Sequence, residues 1–249
     1  MFCINYFNLG RSFKKCFEII PAFSENLRNE VFNIRHQVYC EELKFEPEKQ
    51  DKLEIDEYDS HALHLLIRNI QTGEFIGCTR LILAQHGDKD FVLPLEEHCA
   101  SSLDFSNFNL PDFPRQHMAE VSRLAVIKKY RRRLGDKDKP INISKNDFGS
   151  LFRPRFPYIP VGLFIGTIEL ARLNGITHLL MLTERRLAVH FMRLGANVNF
   201  IGKPIEHRGK RIPSVIDINE VIKNMRWIFR PLYRVIAKDI QGVSKNSKF

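Results

Sequence analysis

The order in which two hydrophobic periods follow one another limits the fold of this chain more than any other feature. Period-two runs come first. Cys16 to Ile20 reads as a strand, and His61 to Arg68 and Phe75 to Leu83 form a hairpin through the turn Gln71-Thr72-Gly73-Glu74. Met118 to Ile127 is a further strand. From there helices alternate with strands. Pro160 fits a first helical position, and Val161, Phe164, Ile165, Ile168 and Ala171 follow at helical spacing up to the cap Asn174-Gly175. Thr177 to Thr183 is a buried strand, Arg186 to Leu194 a short helix closed by Gly195, and Val198 to Ile216 a last hairpin turning at Arg208-Gly209-Lys210. One early helix belongs to the same list: Ser24 caps it, and Leu27, Val31, Phe32 and Ile34 line it. Strands that first meander and later alternate with helices predict an α/β fold around a mixed, mostly antiparallel twisted sheet with flanking helices. The sequence holds no internal repeat. Residues 85 to 118 are loop-rich, and 128 to 159 read as an insertion or lid.

Composition narrows the function. The 249 residues carry a net charge of +9 and a pI near 9.4, which calls for a polyanionic neighbour: nucleic acid, anionic lipid, coenzyme A or an acidic carrier. The five cysteines are odd in number and lack a C-x-x-C, as expected of reduced thiols in a cytoplasmic protein. No apolar run is long enough to span a bilayer, and Asn5, Asn8 and Arg11 interrupt any secretory leader. There is no H-E-x-x-H and no G-x-S-x-G, which excludes the common zinc hydrolase and serine hydrolase signatures.

Three constellations bear charge where chemistry could use it. Glu54-x-Asp56-x-x-Asp59 lies in an acidic segment; lacking the glycine and terminal glutamate of an EF-hand loop, it is not read as a metal site. Arg80 interrupts the apolar strand Gly77-Cys78-Thr79-Arg80-Leu81-Ile82, either pointing to solvent or buried beside a carboxylate. Glu120 and Arg123 share the strand Ala119 to Val126. Strict alternation would place them on opposite faces, so a pairing between them needs a bulge. A glutamate among apolar neighbours is a candidate general base with a raised pKa.

At these residues the chain resembles the acyl-homoserine-lactone autoinducer synthases, within the N-acetyltransferase (GNAT) superfamily. Arg35 and Tyr39 match that family's first-helix arginine and aromatic. Glu54, Asp56 and Asp59, then Arg80, then Glu120 and Arg123 match its triplet, its strand arginine and its E-x-x-R pair. Ile34 to Glu42, Ser122 to Val126 with Arg131, Arg132 and Arg133, and Glu206 to Pro213 are similar to the long-chain N-acyl amino acid synthases and the PEP-CTERM/exosortase-associated acyltransferases. The resemblance implies a GNAT-like sheet whose central strands splay, with the donor's pantetheine arm in the gap. Amides near Leu124, Ala125 and Val126 would face the thioester carbonyl, and Glu120 would take the proton of the attacking amine. It also implies that Arg35, Tyr39, Glu54, Asp56, Asp59, Arg80 and Arg123 surround the acceptor.

Two departures refine the expectation. The superfamily's pyrophosphate loop survives only as Arg132-x-x-Gly135-x-Lys137, without a helix directly behind it, which favours acyl carrier protein over coenzyme A as donor. Phe45 stands where many homoserine-lactone synthases have tryptophan, which favours an amino acid or other small amine over S-adenosylmethionine as acceptor. No cofactor and no metal are expected, since the acyl thioester is itself a substrate. Residues 1–220 are expected to form the acyltransferase domain and 221–249 a basic amphipathic helix and tail. That tail sets seven lysines and arginines against Asp239 alone, with Trp227, Phe229 and Tyr233 interleaved, and suggests peripheral contact with an anionic inner membrane face. Nucleic-acid binding is the rival reading of the net charge and of the run from Lys128 to Arg133. It lacks any supporting motif, so no nucleic-acid partner is expected.

Overall fold

The computed structural model describes residues 9–84, 91–104, 113–131 and 157–246, with the side chains of residues 245 and 246 not described. Among them eight strands form one sheet: β1 (Phe17–Pro21), β2 (Ala62–Asn69), β3 (Phe75–Leu83), β4 (Met118–Val126), β5 (His178–Thr183), β6 (Val198–Phe200), β7 (Ile205–Glu206) and β8 (Lys210–Asp217). Their order is β1-β2-β3-β4-β5-β8-β6, with β7 also on β8. Every pairing is antiparallel except β4 with β5. The sheet is therefore mixed and mostly antiparallel, as the order of periods predicts.

Alternation along the strands assigns two different coverings. One face carries Ile19, Leu65, Leu81, Ala119, Leu179 and Ile216, which belong to the main core. Helix α4 (Tyr158–Leu173) lies on that face, and α1 (Leu9–Cys16) and α7 (Arg230–Asn246) pack around it. Between sheet and helices α4 has no solvent face; it is buried from Pro160 to Ala171, which explains its apolar run. Close approach is possible because a Cβ on Gly162 would lie 2.8 Å from the Phe13 ring. The opposite face carries Ile82, Met118, Leu180 and Val215 in a smaller core completed by Leu93, Leu95 and Cys99 around α3 (Pro94–Cys99). Helix α2 (Glu25–Arg35) covers the β2–β3 end of this second face.

Several elements differ from the sequence reading, each for a local reason. The first strand begins at Phe17 because residues 9 to 16 form α1, whose Leu9 and Phe13 supply a single buried turn-spaced pair. Helix α2 opens on the Ser24 cap as expected, then continues as a π-helical stretch, His36–Glu42, that widens the last turns. Helix α4 starts at Tyr158, so Pro160 is its third residue, still inside the turn whose amides need no helical partner. Most of the expected insertion over 128–159 lies outside the described residues, as does the loop remnant at Arg132, Gly135 and Lys137.

The C-terminal segment is tied into the fold. After α6 (Ile218–Asn224), α7 buries Leu232, Ile236, Ala237 and Ile240 against α1, α4 and β1. The buried carboxylate of Glu169 accepts hydrogen bonds from Tyr233 Oη and Gln241 Nε2, both at 2.7 Å, locking α7 onto α4. Phe229 is buried too, so of the three aromatics expected to meet lipid only Trp227 is exposed, and the apolar face of α7 is taken by the protein. Among the described residues no helix is long and apolar enough to cross a membrane.

Candidate active site

The acidic triplet and the arginines meet on the second face of the sheet. Glu54 follows the π-helix in sequence, and Asp56 and Asp59 sit at the two ends of a capping box opening a short 3₁₀ turn, Glu57–His61. Asp59 Oδ1 and Oδ2 accept from Arg35 Nη1 and Nη2 at 2.6 and 3.0 Å, while Arg35 Nε donates to Glu54. Arg80 Nη1 donates to Asp56 and, at 2.9 Å, to Asp59; its Nε donates to Ser122 Oγ at 3.0 Å. Arg123 Nη2 reaches Glu54 at 3.0 Å and Asp56 at 3.1 Å, with its guanidinium over the Tyr39 ring. Three guanidiniums thus meet three carboxylates, and the cluster is electrically balanced. Arg80 is 1% exposed, so its solvent-facing alternative is excluded.

Pairing sets the ionisation of this group. Burial alone would raise the Glu54 carboxyl, but Arg35 and Arg123 overcome it and hold the pKa down at about 2. Asp59 is likewise held well below the usual carboxylate range against the pull of burial by its bonds to Arg35 and the charge of Arg80. His64 lies opposite Arg80 in the β2–β3 register, and neither ring nitrogen makes a hydrogen bond. Burial, helped by the nearby arginines, drives its pKa down to about 4, so the ring is neutral and packs edge-on to Phe32.

Arg123 reaches this cluster through a defect in β4. Cys78 faces Ala125 while Arg80 faces Ser122, so two residues of β4 oppose Thr79 alone. Arg123 takes φ +51°, a left-handed conformation uncommon outside glycine, and this β-bulge turns its side chain toward the acids. Glu120 and Arg123 are not joined by a hydrogen bond. Glu120 points to the same face as Arg80, and its Oε2 accepts the Leu95 amide of α3 at 2.7 Å. Burial raises its pKa to about 7, with the Leu95 amide and the charge of Arg80 only partly opposing. A carboxyl of that kind is poised to accept a proton near neutral pH.

The strands flanking Glu120 then part. β4 and β5 pair in parallel only from Met118 with His178 to Val121 with Met181; beyond that, β4 runs on to Val126 unpaired on this side. The gap holds a cleft of about 870 Å³, its open mouth included, lined by Tyr39, Ser122, Leu124, Phe164, Thr167 and Phe191 among others. Phe164 and Phe191 stack with centroids 3.9 Å apart and give it an apolar wall. A second pocket on the opposite face contains Glu120, Arg80, His98, His207, Arg208 and Arg211. The two share Tyr39, Val121, Ser122, Arg123, Leu182 and Arg211, so the gap connects one face of the sheet with the other.

The residues expected at the donor site are divided. Leu124 lines the cleft, and Ala125 and Val126 are buried in the strand. Arg131 is turned inward and ion-paired with Glu42, and Lys129 pairs with Glu74 at 2.9 Å; Arg132 and Arg133 lie outside the described residues. Among the described residues the basic surface at the cleft mouth comes from Arg185 and Arg186, opening α5 (Arg185–Leu194), with Lys210 at the start of β8. Motif reading also missed His98, His207, Arg208 and Arg211. The dense run Glu206-His207-Arg208-Gly209-Lys210-Arg211 was the available signal, and only folding places it beside Glu120. Among the described residues no group of three or more His, Cys, Asp or Glu side chains is arranged to hold a metal.

Residues 34–137, the stretch that carries the cluster, β4 and the bulge, match the family model described as an acetyltransferase (GNAT) domain. The whole fold is shared with solved structures of low sequence identity. TofI, in a ternary complex with an inhibitor and MTA, is 20% identical with a TM-score of 0.59, over 83% of this chain and 95% of that one. The acyl-homoserine-lactone synthase LasI is 17% identical, with a TM-score of 0.55, over 84% and 94%. FeeM, an N-acyl amino acid synthase from uncultured soil microbes, is 14% identical with a TM-score of 0.52, again over 84% and 94%. No curated protein sequence matches the chain.

Proposed function

We propose that this protein is an N-acyltransferase that moves a fatty acyl group from a carrier thioester to the amine of a small acceptor by direct attack. The observation that carries the reading is the gap between β4 and β5, which joins an apolar cleft to the pocket of an unpaired buried glutamate. The thioester's arm would lie along the free edge of β4 as an added strand. Ile127 donates to Ile76 at 3.0 Å toward β3, so strand alternation turns the Val126 and Leu124 amides the other way, into the gap. Those amides would hydrogen-bond the arm and hold the carbonyl oxygen as it gains charge. Glu120, ionised at neutral pH in part of the population, takes a proton from the acceptor's ammonium. The freed amine attacks the carbonyl carbon, the C–S bond breaks, and the thiol leaves with the amide formed. Tyr39 lines both spaces; burial lifts its pKa to about 12, so its hydroxyl stays protonated and donates to the Leu124 carbonyl at 3.3 Å.

Acyl carrier protein is the donor we favour over coenzyme A. Exposed Arg185, Arg186 and Lys210 at the mouth suit an acidic protein surface, which speeds encounter in a salt-sensitive way. S-adenosylmethionine is the alternative acceptor, giving a homoserine lactone. Mass spectrometry of lipid extracts from cells expressing the protein, beside a Glu120→Gln control, is the test. A new acylated amine absent from the control supports the reading and names donor chain and acceptor together; identical extracts would refute it. With purified donors, charge reversal at Arg185 and Arg186 should raise KM for the carrier thioester about tenfold or more and flatten its salt dependence. Equal effects on both donors would remove the carrier from the account.

A further inference from the structure

Four arginines line the pocket around Glu120, and they are not equivalent. Arg80 has Asp56 and Asp59, Arg123 has Glu54 and Asp56, and Arg208 has Glu46. Among the described residues Arg211 has no carboxylate partner. Its Nε donates to the His207 carbonyl at 2.9 Å and its Nη1 to the Leu182 carbonyl at 3.4 Å. These two neutral acceptors brace the guanidinium without balancing its charge, and Nη2 makes no hydrogen bond to the described residues.

The surroundings add to that imbalance. His207, its ring tilted 30° against that of His98 with centroids 4.7 Å apart, is kept neutral by burial and by neighbouring His98, Arg208 and Arg211. Glu120 is the one acid among the described residues that line this pocket; Arg211 also borders the cleft that meets it, where Glu184 is a lining acid but is not paired with Arg211. A half-buried guanidinium short of a counter-ion favours an anionic ligand, and its planar fork matches a carboxylate with two parallel hydrogen bonds.

We propose that Arg211 seats the carboxylate of the acceptor, so that the acceptor is an amino acid or another amine bearing a carboxylate. The proposal rests on the reading above, in which Glu120 receives the ammonium end of the same molecule. An α-amino acid would span the pocket with one charged end on each residue, and the split in the sheet would present its amine to the thioester.

The test compares the twenty proteinogenic amino acids with their carboxamides, using a long-chain acyl thioester of acyl carrier protein, for the wild type, Arg211→Gln and Arg211→Lys. Melting temperatures of both variants are measured first, because Arg211 also braces the turn at His207. The wild type should prefer at least one amino acid over its carboxamide. Arg211→Gln should raise that amino acid's KM about 10- to 100-fold, the scale of a lost charge-assisted contact. It should raise the donor's KM far less, although Arg211 borders the donor cleft as well, and Arg211→Lys should recover part of the loss. Equal use of amino acid and carboxamide by the wild type would overturn the proposal, as would an effect of Arg211→Gln confined to the donor. Thermal stabilisation by the free amino acids provides a readout that needs no turnover. Stabilisation abolished by Arg211→Gln in a protein that acylates nothing would uphold the seat while refuting the reaction; no stabilisation and no acylation would refute both.

Discussion

Glu54 and Glu120 are both glutamates with almost no exposed surface on the same side of one sheet, at 4% and 3%. Yet one is held ionised down to a pKa of about 2 and the other is lifted to about 7. Burial pushes both upward. Glu54 has two arginines in contact, whereas Glu120 has one backbone amide and feels Arg80 only at a distance. The difference separates a carboxylate that organises the wall of a site from one that can exchange a proton inside it.

The largest expected effect tests the second half of that contrast. Glu120→Gln should lower kcat by about 10²–10⁴-fold with an unchanged circular dichroism spectrum, the scale of a lost general base. Turnover near normal at saturating substrate would remove Glu120 from the chemistry and erase the distinction. Arg80→Ala addresses the first half: taking from Asp56 and Asp59 one of the arginines that each contacts should cost about 3–5 kcal/mol of folding stability in chemical denaturation. A variant as stable as the wild type would mean that solvent already screens those acids.

Linkage gives the two glutamates opposite signs. The Glu120 pKa is raised on folding, so its contribution is complete below about 4.5 and is lost as pH climbs through about 7. Glu120→Gln should therefore match the wild type in stability at pH 4 and exceed it by about 3 kcal/mol at pH 9. The Glu54 pKa is depressed, so its contribution is present above about 4.5 and is lost as pH falls toward 2. Glu54→Gln should be less stable than the wild type at pH 7, and the gap should close on acidification. Stability curves running parallel with pH would show that neither shift exists. The smallest effect belongs to Ser122→Ala, which removes a single hydrogen bond to Arg80 Nε and should cost about 1 kcal/mol.

What the sequence showed and what it hid divide along the reach of local physics. The hairpin of β2 and β3 and the helix α4 were legible because their periods are set by neighbouring residues. Arg80 in an apolar strand signalled an unusual environment, but its partners lie 21 and 24 residues away, and only the fold decides between solvent and burial. The demand for a bulge between Glu120 and Arg123 was sound in its geometry. The bulge serves a different bond, because Arg123 turns to Glu54 and Asp56 while Glu120 turns to α3. That helix was hidden among prolines, and α1 was hidden by a single apolar pair. The pairing of Arg131 and Lys129 was hidden for a simpler reason: their partners, Glu42 and Glu74, are distant in sequence.

The incomplete zipper between β4 and β5 has a further consequence. An open strand edge ordinarily invites a neighbouring molecule to add its own strand, and proteins guard against it at the rim of a sheet. Here the open edge lies inside the sheet, between strands already paired on their outer sides, where another folded chain cannot reach and a slender arm can. Amide hydrogen exchange would read its occupancy directly. Val126 and Leu124 should exchange faster than Ala119 to Val121 in the empty protein, and slow when a donor arm fills the gap. The sheet thus carries, in its own backbone, a gauge of whether it is loaded.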